Sequence, residues 1–203
     1  MRIDFAQLEP SQAYFAMIQA IVPRPIAWVL SDNGNGTHHL APFSFFTGVT
    51  STPPLLLISV GHKADGSRKD TWVNIDERRD FVVHIAPREL AEPLVATAAS
   101  LPHGESEVSA AGLKTEPVEG FSLPRVVGPR VAMCCSKHAI HEVGDGPQAL
   151  ILGQVRLMWV DDSIVENRDR RIMIDPQGID PLARLGGNEY ASLGKLFSVK
   201  RPK

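Results

Sequence analysis

Short apolar runs alternate with clusters of Gly, Asn, Asp and Pro along most of this chain, a rhythm that suits strands joined by tight turns. Ile26-Ala27-Trp28-Val29-Leu30 predicts a strand. Asp32-Asn33-Gly34-Asn35-Gly36 follows, rich in residues that tolerate positive φ, and predicts a hairpin turn. The chain returns over 37–49 with an expected break near Pro42. Pro53-Pro54 introduces a strand over 55–60 that is apolar nearly throughout, so it is expected to be buried on both faces. Another strand is predicted over 81–86. Two long ones over 131–143 and 149–160 are joined at Gly144-Asp145-Gly146-Pro147, and Leu196-Phe197-Ser198-Val199 is expected to close the sheet. Segment 178–187 reads as irregular.

Helical spacing is confined to a few places. Over 11–21, Ser11 can cap a helix that puts Tyr14, Phe15 and Ile18 on one face, with Pro23 and Pro25 ending it. Further helices are expected over 67–78 and 89–100. The Pro-, Gly- and Glu-rich stretch 101–124 reads as a surface excursion with one short helix. Strands outnumber helices and mostly follow one another through tight turns. The expected fold is therefore mainly β, a mostly antiparallel barrel with peripheral helices, rather than alternating βαβ units.

Composition narrows this only a little. With 203 residues, 43% hydrophobic and 22% charged, the chain has the profile of an ordinary globular domain, and a single domain over 1–203 is expected. A formal charge of −2 gives no global field toward nucleic acid or an anionic membrane. No stretch approaches the roughly 18 uninterrupted apolar residues of a membrane span, and Met1-Arg2-Ile3-Asp4-Phe5 does not read as a signal peptide. The only cysteines, Cys134 and Cys135, are adjacent and cannot staple distant parts of a fold, which points to a reducing, cytoplasmic compartment.

Three segments carry candidate chemistry. In Ser67-Arg68-Lys69-Asp70-Thr71, Ser67 and Asp70 have the spacing of a capping box, so a helix is expected to start here. Free N–H groups at that start, the charges of Arg68 and Lys69 and the hydroxyl of Thr71 would suit a phosphate monoester. Ser59, Gly61, His62 and Lys63 approach from the preceding strand. In the second segment, Pro23-Arg24-Pro25-Ile26 and Ala41-Pro42-Phe43-Ser44-Phe45-Phe46 combine missing backbone donors with small and aromatic residues, a slot for a flat ring. In the third, Arg184-Leu185-Gly186-Gly187-Asn188-Glu189-Tyr190 lets the backbone approach a ligand closely beside an aromatic and a cation. Taken singly, these segments read equally as a capped helix, an edge strand over core aromatics, and a loop.

In order and together, they resemble the flavin reductase-like, FMN-binding split-barrel family. The motifs that carry the likeness are Val22-Pro23-Arg24-Pro25-Ile26-Ala27-Trp28, Ala41-Pro42-Phe43-Ser44-Phe45-Phe46, Ser59-Val60-Gly61, Lys69-Asp70-Thr71, Ala110-Ala111-Gly112-Leu113 and the segment 184–190, spread over about residues 14 to 197. The resemblance implies a split β-barrel homodimer with one FMN per subunit near the interface. It implies that Arg24, Pro25, Ile26, Ala41, Pro42, Phe43, Ser44 and Phe45 line the ring and ribityl chain. Ser59, Val60, Gly61, Lys63, Arg68, Lys69, Asp70 and Thr71 would surround the phosphate, and Tyr190 would close over the site. Hydride would pass from NADH or NADPH to the flavin, chemistry that belongs to the two cofactors, so no catalytic side chain is expected. Two function classes stay open: an NAD(P)H-dependent flavin reductase, with a monooxygenase as one conceivable partner, and a non-turnover FMN carrier.

Rival readings find little support. Cys134, Cys135, His138 and His141 do not converge if the segment is a strand, where alternate residues face opposite ways, so no metal site is expected. There is no Gly-x-Ser-x-Gly elbow and no Gly-x-Gly-x-x-Gly after a strand.

Overall fold

The computed structural model describes residues 1–146, 148–168 and 171–202. Its first half runs α1 (Pro10–Ala20), β1 (Arg24–Pro25), β2 (Ala27–Asp32), β3 (His38–Phe43), β4 (Phe46–Ser51), β5 (Pro54–Val60), α2 (Asp70–Arg78) and β6 (Asp80–His84). Then come α3 (Ala91–Ala96), α4 (Glu107–Ala110), β7 (Thr115–Glu116), β8 (Arg125–Val126), β9 (Val131–Val143) and β10 (Gln148–Val160). The remainder holds β11 (Val165–Arg168), β12 (Arg171–Ile174), α5 (Pro176–Ile179), β13 (Ala183–Arg184) and β14 (Tyr190–Ala191).

Seven strands form one antiparallel sheet in the order β3-β2-β6-β9-β10-β5-β4. Its two edges, β3 and β4, are consecutive in the chain and joined by Ser44 and Phe45 alone. Three residue steps span no more than about 10 Å, so the edges must lie close together. The sheet is coiled into a split barrel, and the Ser59 N–H donates to the Phe45 carbonyl at 2.9 Å, one rung beyond the Phe46–Ile58 pair of β4 and β5.

Alternation along the strands builds two cores. Val29, Phe43, Ile58, Val60, Phe81, Cys135 and Ile151 face one side and meet Trp72 and Ile75 of α2. Trp28, Leu30, Leu40, Val82 and Cys134 face the other, under Leu94, Val108, Val126 and Leu182. Cys134 and Cys135 are thus free thiols buried on opposite faces.

Several expected elements move. Strand β5 buries Leu56, Ile58 and Val60 but leaves Leu55 and Leu57 half-exposed, because the covering helices lie over β2 and β3 instead. The break near Pro42 falls at Ser44-Phe45, since Pro42 sits on an edge strand where a missing N–H is tolerated. Glu9 and Gln12, not Ser11, cap α1, and Tyr14 and Phe15 are exposed while Ile18 is buried. The helix expected over 89–100 is a single 3-10 turn followed by the short α3. No strand forms at 196–199, where Phe197 is 88% exposed and, among the described residues, no partner strand is offered. Pro147, at the tip of the predicted hairpin, lies outside the described residues. No helix among them is long and apolar enough to cross a membrane.

Candidate functional site

Helix α2 begins two residues later than the Ser67–Asp70 spacing suggests. Asp65 takes both the N–H and the hydroxyl of Ser67 into a local turn, at 2.9 and 2.6 Å, so Ser67 caps nothing. Lys69 becomes the N-cap residue without a side-chain capping bond, and its carbonyl accepts from Trp72 and Val73. The N–H groups of Asp70 and Thr71 precede the first intrahelical donor and add to the positive end of the helix dipole. Lys69 Nζ lies 5.8 Å from the Phe43 ring centroid, and among the described residues no carboxylate stands within salt-bridge distance of it.

A cavity of about 290 Å³ opens in front of this helix start. Its wall includes Ala41, Pro42 and Phe43 of β3, the turn 62–64, Lys69, Asp70 and Thr71, and the segment 97–101. Lys63 Nζ donates to Asp70 Oδ1 at 2.8 Å, and His103 Nδ1 meets the same oxygen at 2.6 Å. Burial works against ionisation of Asp70, but those two hydrogen bonds outweigh it and hold its carboxyl below the usual range. Lys63 is thus paired with an ionised carboxylate, and Lys69 is the ammonium group at the helix start that faces no carboxylate partner among the described residues.

Three buried polar side chains in the same wall form a chain of hydrogen bonds. Glu107 Oε2 accepts from Leu40 N–H at 3.1 Å and lies 2.8 Å from His39 Nδ1. His39 Nε2 lies 2.7 Å from Thr71 Oγ1. His39 and Glu107 are 7% and 4% exposed. The hydroxyl of Thr71, expected to meet a phosphate directly, is thus already engaged by an imidazole.

Arg24 has a different surrounding from the one expected. Its guanidinium is buried and donates to the carbonyls of Ile18 at 2.6 Å, Ile21 at 2.7 Å and Leu185 at 2.9 Å, and to Ser44 Oγ at 3.3 Å. It clamps the end of α1 and the 184–190 segment against the Ser44-Phe45 link. The same clamp explains how two distant motifs meet: β1, β13 and β14 form a small sheet in which Arg24 pairs with Arg184 and Arg184 with Tyr190. Tyr190 packs there under the Arg184 guanidinium, 4.5 Å from ring centroid to Cζ.

Of the residues singled out from sequence, Ala41, Pro42, Phe43, Lys63, Lys69, Asp70 and Thr71 share the cavity wall. Ser44 and Phe45 follow Phe43 in the chain but do not line that cavity, and Arg24 Cζ lies 6.0 Å from the Phe45 ring. Pro25 is exposed, whereas Ile26 and Val60 belong to the two cores. Ser59 extends the β4–β5 ladder to Phe45, and Gly61 leaves room for the Gln148 side chain, 3.1 Å from where a Cβ would stand. Arg68 turns away, to Glu142 at 2.8 Å and over the Trp72 ring at 4.5 Å. His39, Glu107 and segment 97–101 were not anticipated. Alternation from Ala41 and Phe43 back along β3 reaches His39, a signal present in the sequence. Glu107, far along the chain in an irregular stretch, carries no such mark.

Comparison with known proteins gives one coherent result. The model of the flavin reductase like domain matches residues 19–177. Nitrilotriacetate monooxygenase component B from Bacillus cereus superposes with a TM-score of 0.91 at 34% identity, covering 98% of each chain. The 2-nitrobenzoate 2-nitroreductase of Pseudomonas fluorescens gives 0.86 at 28% identity, covering 100% of this chain and 96% of its own. A Shewanella frigidimarina protein described as a flavin reductase with a split-barrel domain gives 0.84 at 20% identity over the whole of both chains, a likeness of fold.

Proposed function

The chain belongs to the flavin reductase-like family, and from that premise we propose that it is an FMN-dependent oxidoreductase, a single domain over 1–203 that takes hydride from NADH or NADPH. The observation that carries this reading is the uncapped start of α2, facing a cavity flanked by Lys63 and Lys69 and walled on the β3 side by Ala41, Pro42 and Phe43. A phosphate monoester fits that donor set: two backbone N–H groups, two ammonium groups and a helix dipole converge on one space. Phe43, Ser44 and Phe45 stand one strand-end away, where a flat ring and its polar chain would lie.

Bound FMN would supply the two-electron chemistry, and the protein would supply placement and exclusion of water. Lys63 and Lys69 would hold the phosphate. The Ser44-Phe45 link interrupts strand pairing between β3 and β4, and the backbone around Ser44 would be left for the ring. Arg24 would act by fixing that link rather than by touching the cofactor. Likeness to a monooxygenase component B supports a monooxygenase as the consumer of the reduced flavin. The two free, buried thiols suit a reducing cytoplasm. A non-turnover FMN carrier would need the same pocket, and steady-state oxidation of NADH and NADPH with added FMN separates the two.

The binding site itself is tested by titrating FMN and riboflavin into wild type and Lys69→Ala. Each charge-assisted bond to the phosphate is worth on the order of 1.5–3 kcal/mol, so FMN should weaken by roughly ten- to a hundredfold. Riboflavin, lacking the phosphate, should hardly move. FAD should bind more weakly than FMN. Lys114→Ala, on an exposed residue outside the cavity wall, is the control. Unchanged FMN affinity in Lys69→Ala would put the phosphate elsewhere.

A further inference from the structure

The buried chain Glu107–His39–Thr71 has no role in simply attracting an anion, yet it lines the same wall as Lys63 and Lys69. Its hydrogen bonds have a direction. An ionised carboxylate only accepts, so the contact with Glu107 Oε2 places a proton on His39 Nδ1. With that single ring proton, Nε2 is an acceptor and takes the one O–H of Thr71 at 2.7 Å. Thr71 then turns only lone pairs toward the cavity, which an anion would avoid. A second proton on Nε2 reverses the bond: the imidazole donates, and the Thr71 hydroxyl proton is released to an incoming oxygen.

We propose that Glu107 and His39 form a proton relay for Thr71, so that the phosphate dianion of FMN binds together with one proton taken up from solvent at His39 Nε2. No heavy-atom bond changes. The solvent proton comes to rest on Nε2, and the Thr71 hydroxyl proton rotates from the imidazole to a phosphate oxygen. His39 and Glu107 are positioning residues in this scheme. The proposal rests on the FMN reading above, and it assigns the residues that select a fully charged phosphate. The other titratable groups around the cavity are His62 and Lys63 of the preceding turn, Lys69 and Asp70 at the helix start, and His103, which is bonded to Asp70.

The test is calorimetric titration of the flavin-free full chain at roughly pH 8, in two buffers of different ionisation enthalpy, with FMN and with riboflavin. Wild type should take up about one proton with FMN and none with riboflavin. His39→Gln and Glu107→Gln should abolish the uptake and weaken FMN by roughly tenfold or more, while riboflavin binds as before and so reports an intact pocket. Thr71→Val should lose the uptake as well. The relay is overturned if wild type takes up no proton, if His39→Gln keeps the uptake, or if His62→Gln alone removes it. Loss of riboflavin binding in both relay variants would make these residues structural and overturn it too. If wild type does not prefer FMN to riboflavin and Lys69→Ala changes neither, the phosphate reading itself has failed and the relay with it.

Discussion

At the scale of single residues, burial decides which groups are chemically silent. Both ring nitrogens of His84 are used: Nδ1 donates to the Trp28 carbonyl at 3.0 Å, and Nε2 accepts the Val126 N–H at 2.9 Å. That arrangement needs a neutral ring, and burial lowers its pKa from 6.5 to about 4. Between those values the unfolded chain binds the proton and the folded chain does not, so stability must fall as pH drops from about 6.5 toward 4. The loss over that window should be roughly 3 kcal/mol. Urea denaturation of wild type and His84→Gln should show a lower midpoint for the variant at neutral pH but a shallower acid slope. Equal slopes would mean that His84 does not carry the effect. The cysteines are silent for a related reason. Burial pushes the Cys134 thiol up to about 11, and burial pushes Cys135 further still. Neither should react with iodoacetamide in the native protein near neutral pH, and both should react in urea; mass spectrometry of native and unfolded samples distinguishes these outcomes. The site was legible at this scale where a residue type has one usual task. Lys69 next to a helix start and the small and aromatic residues of 41–45 are such cases. Arg24 was expected beside the ring from the family resemblance, and nothing local in the sequence reveals that its donors go to carbonyls of Ile18, Ile21 and Leu185.

At the scale of elements, legibility followed length and competition. The long hairpin strands β9 and β10 match the sequence reading within a residue, because sustained apolar patterning and a Gly-rich turn leave few alternatives. Helix starts were harder to read, since several nearby oxygens can satisfy the same N–H groups. Asp65 displaces Asp70 as the partner of Ser67, and no single-sequence rule ranks the two. Tertiary contacts also fix the far end of α2: Arg78 donates to the Asp32 carbonyl at 2.7 Å, tying the helix to β2, and to Asn74 at 2.5 Å. Close packing of the coiled sheet makes its own forecast. Strand β10 carries an irregularity between Leu152 and Gly153, and a Cβ at Gly153 would stand 2.3 Å from Phe81 Cζ and 3.3 Å from Leu56 Cδ1. Phe81 is fully buried and has nowhere to go. Gly153→Ala should therefore cost about 1–3 kcal/mol by overpacking. A thermal midpoint equal to wild type would show that the contact of β10 with the Phe81 side chain is looser than this packing implies.

At the scale of the whole molecule, the coiled sheet explains why the chain has two cores, and the exposed residues point to a partner. Isolated apolar side chains on a surface need no explanation, but two stretches each hold four or more of them. Tyr14, Phe15, Ile21 and Val22 are exposed on and just after α1, and Leu193, Leu196, Phe197 and Val199 are exposed along the final segment. Sequence reading treated the second stretch as a strand because its apolar residues demand burial, which the described residues of one chain do not provide. We propose that a second copy of the chain covers these surfaces in a homodimer. Tyr14 also packs edge-on against Phe45, with ring centroids 6.3 Å apart, so the exposed face of α1 is joined directly to the link proposed to hold the flavin ring. Assembly and cofactor binding should therefore fail together. Light scattering of wild type should give a dimer, with an interface near the standard size of about 1,600 Å². Phe15→Ser, a change on an exposed side chain, should shift the protein toward monomer and weaken both FMN and riboflavin, whereas Lys69→Ala should weaken FMN alone and leave the dimer intact. A wild-type monomer that still holds FMN tightly would refute the dimer, and a monomeric Phe15→Ser with unchanged flavin affinity would uncouple the interface from the site.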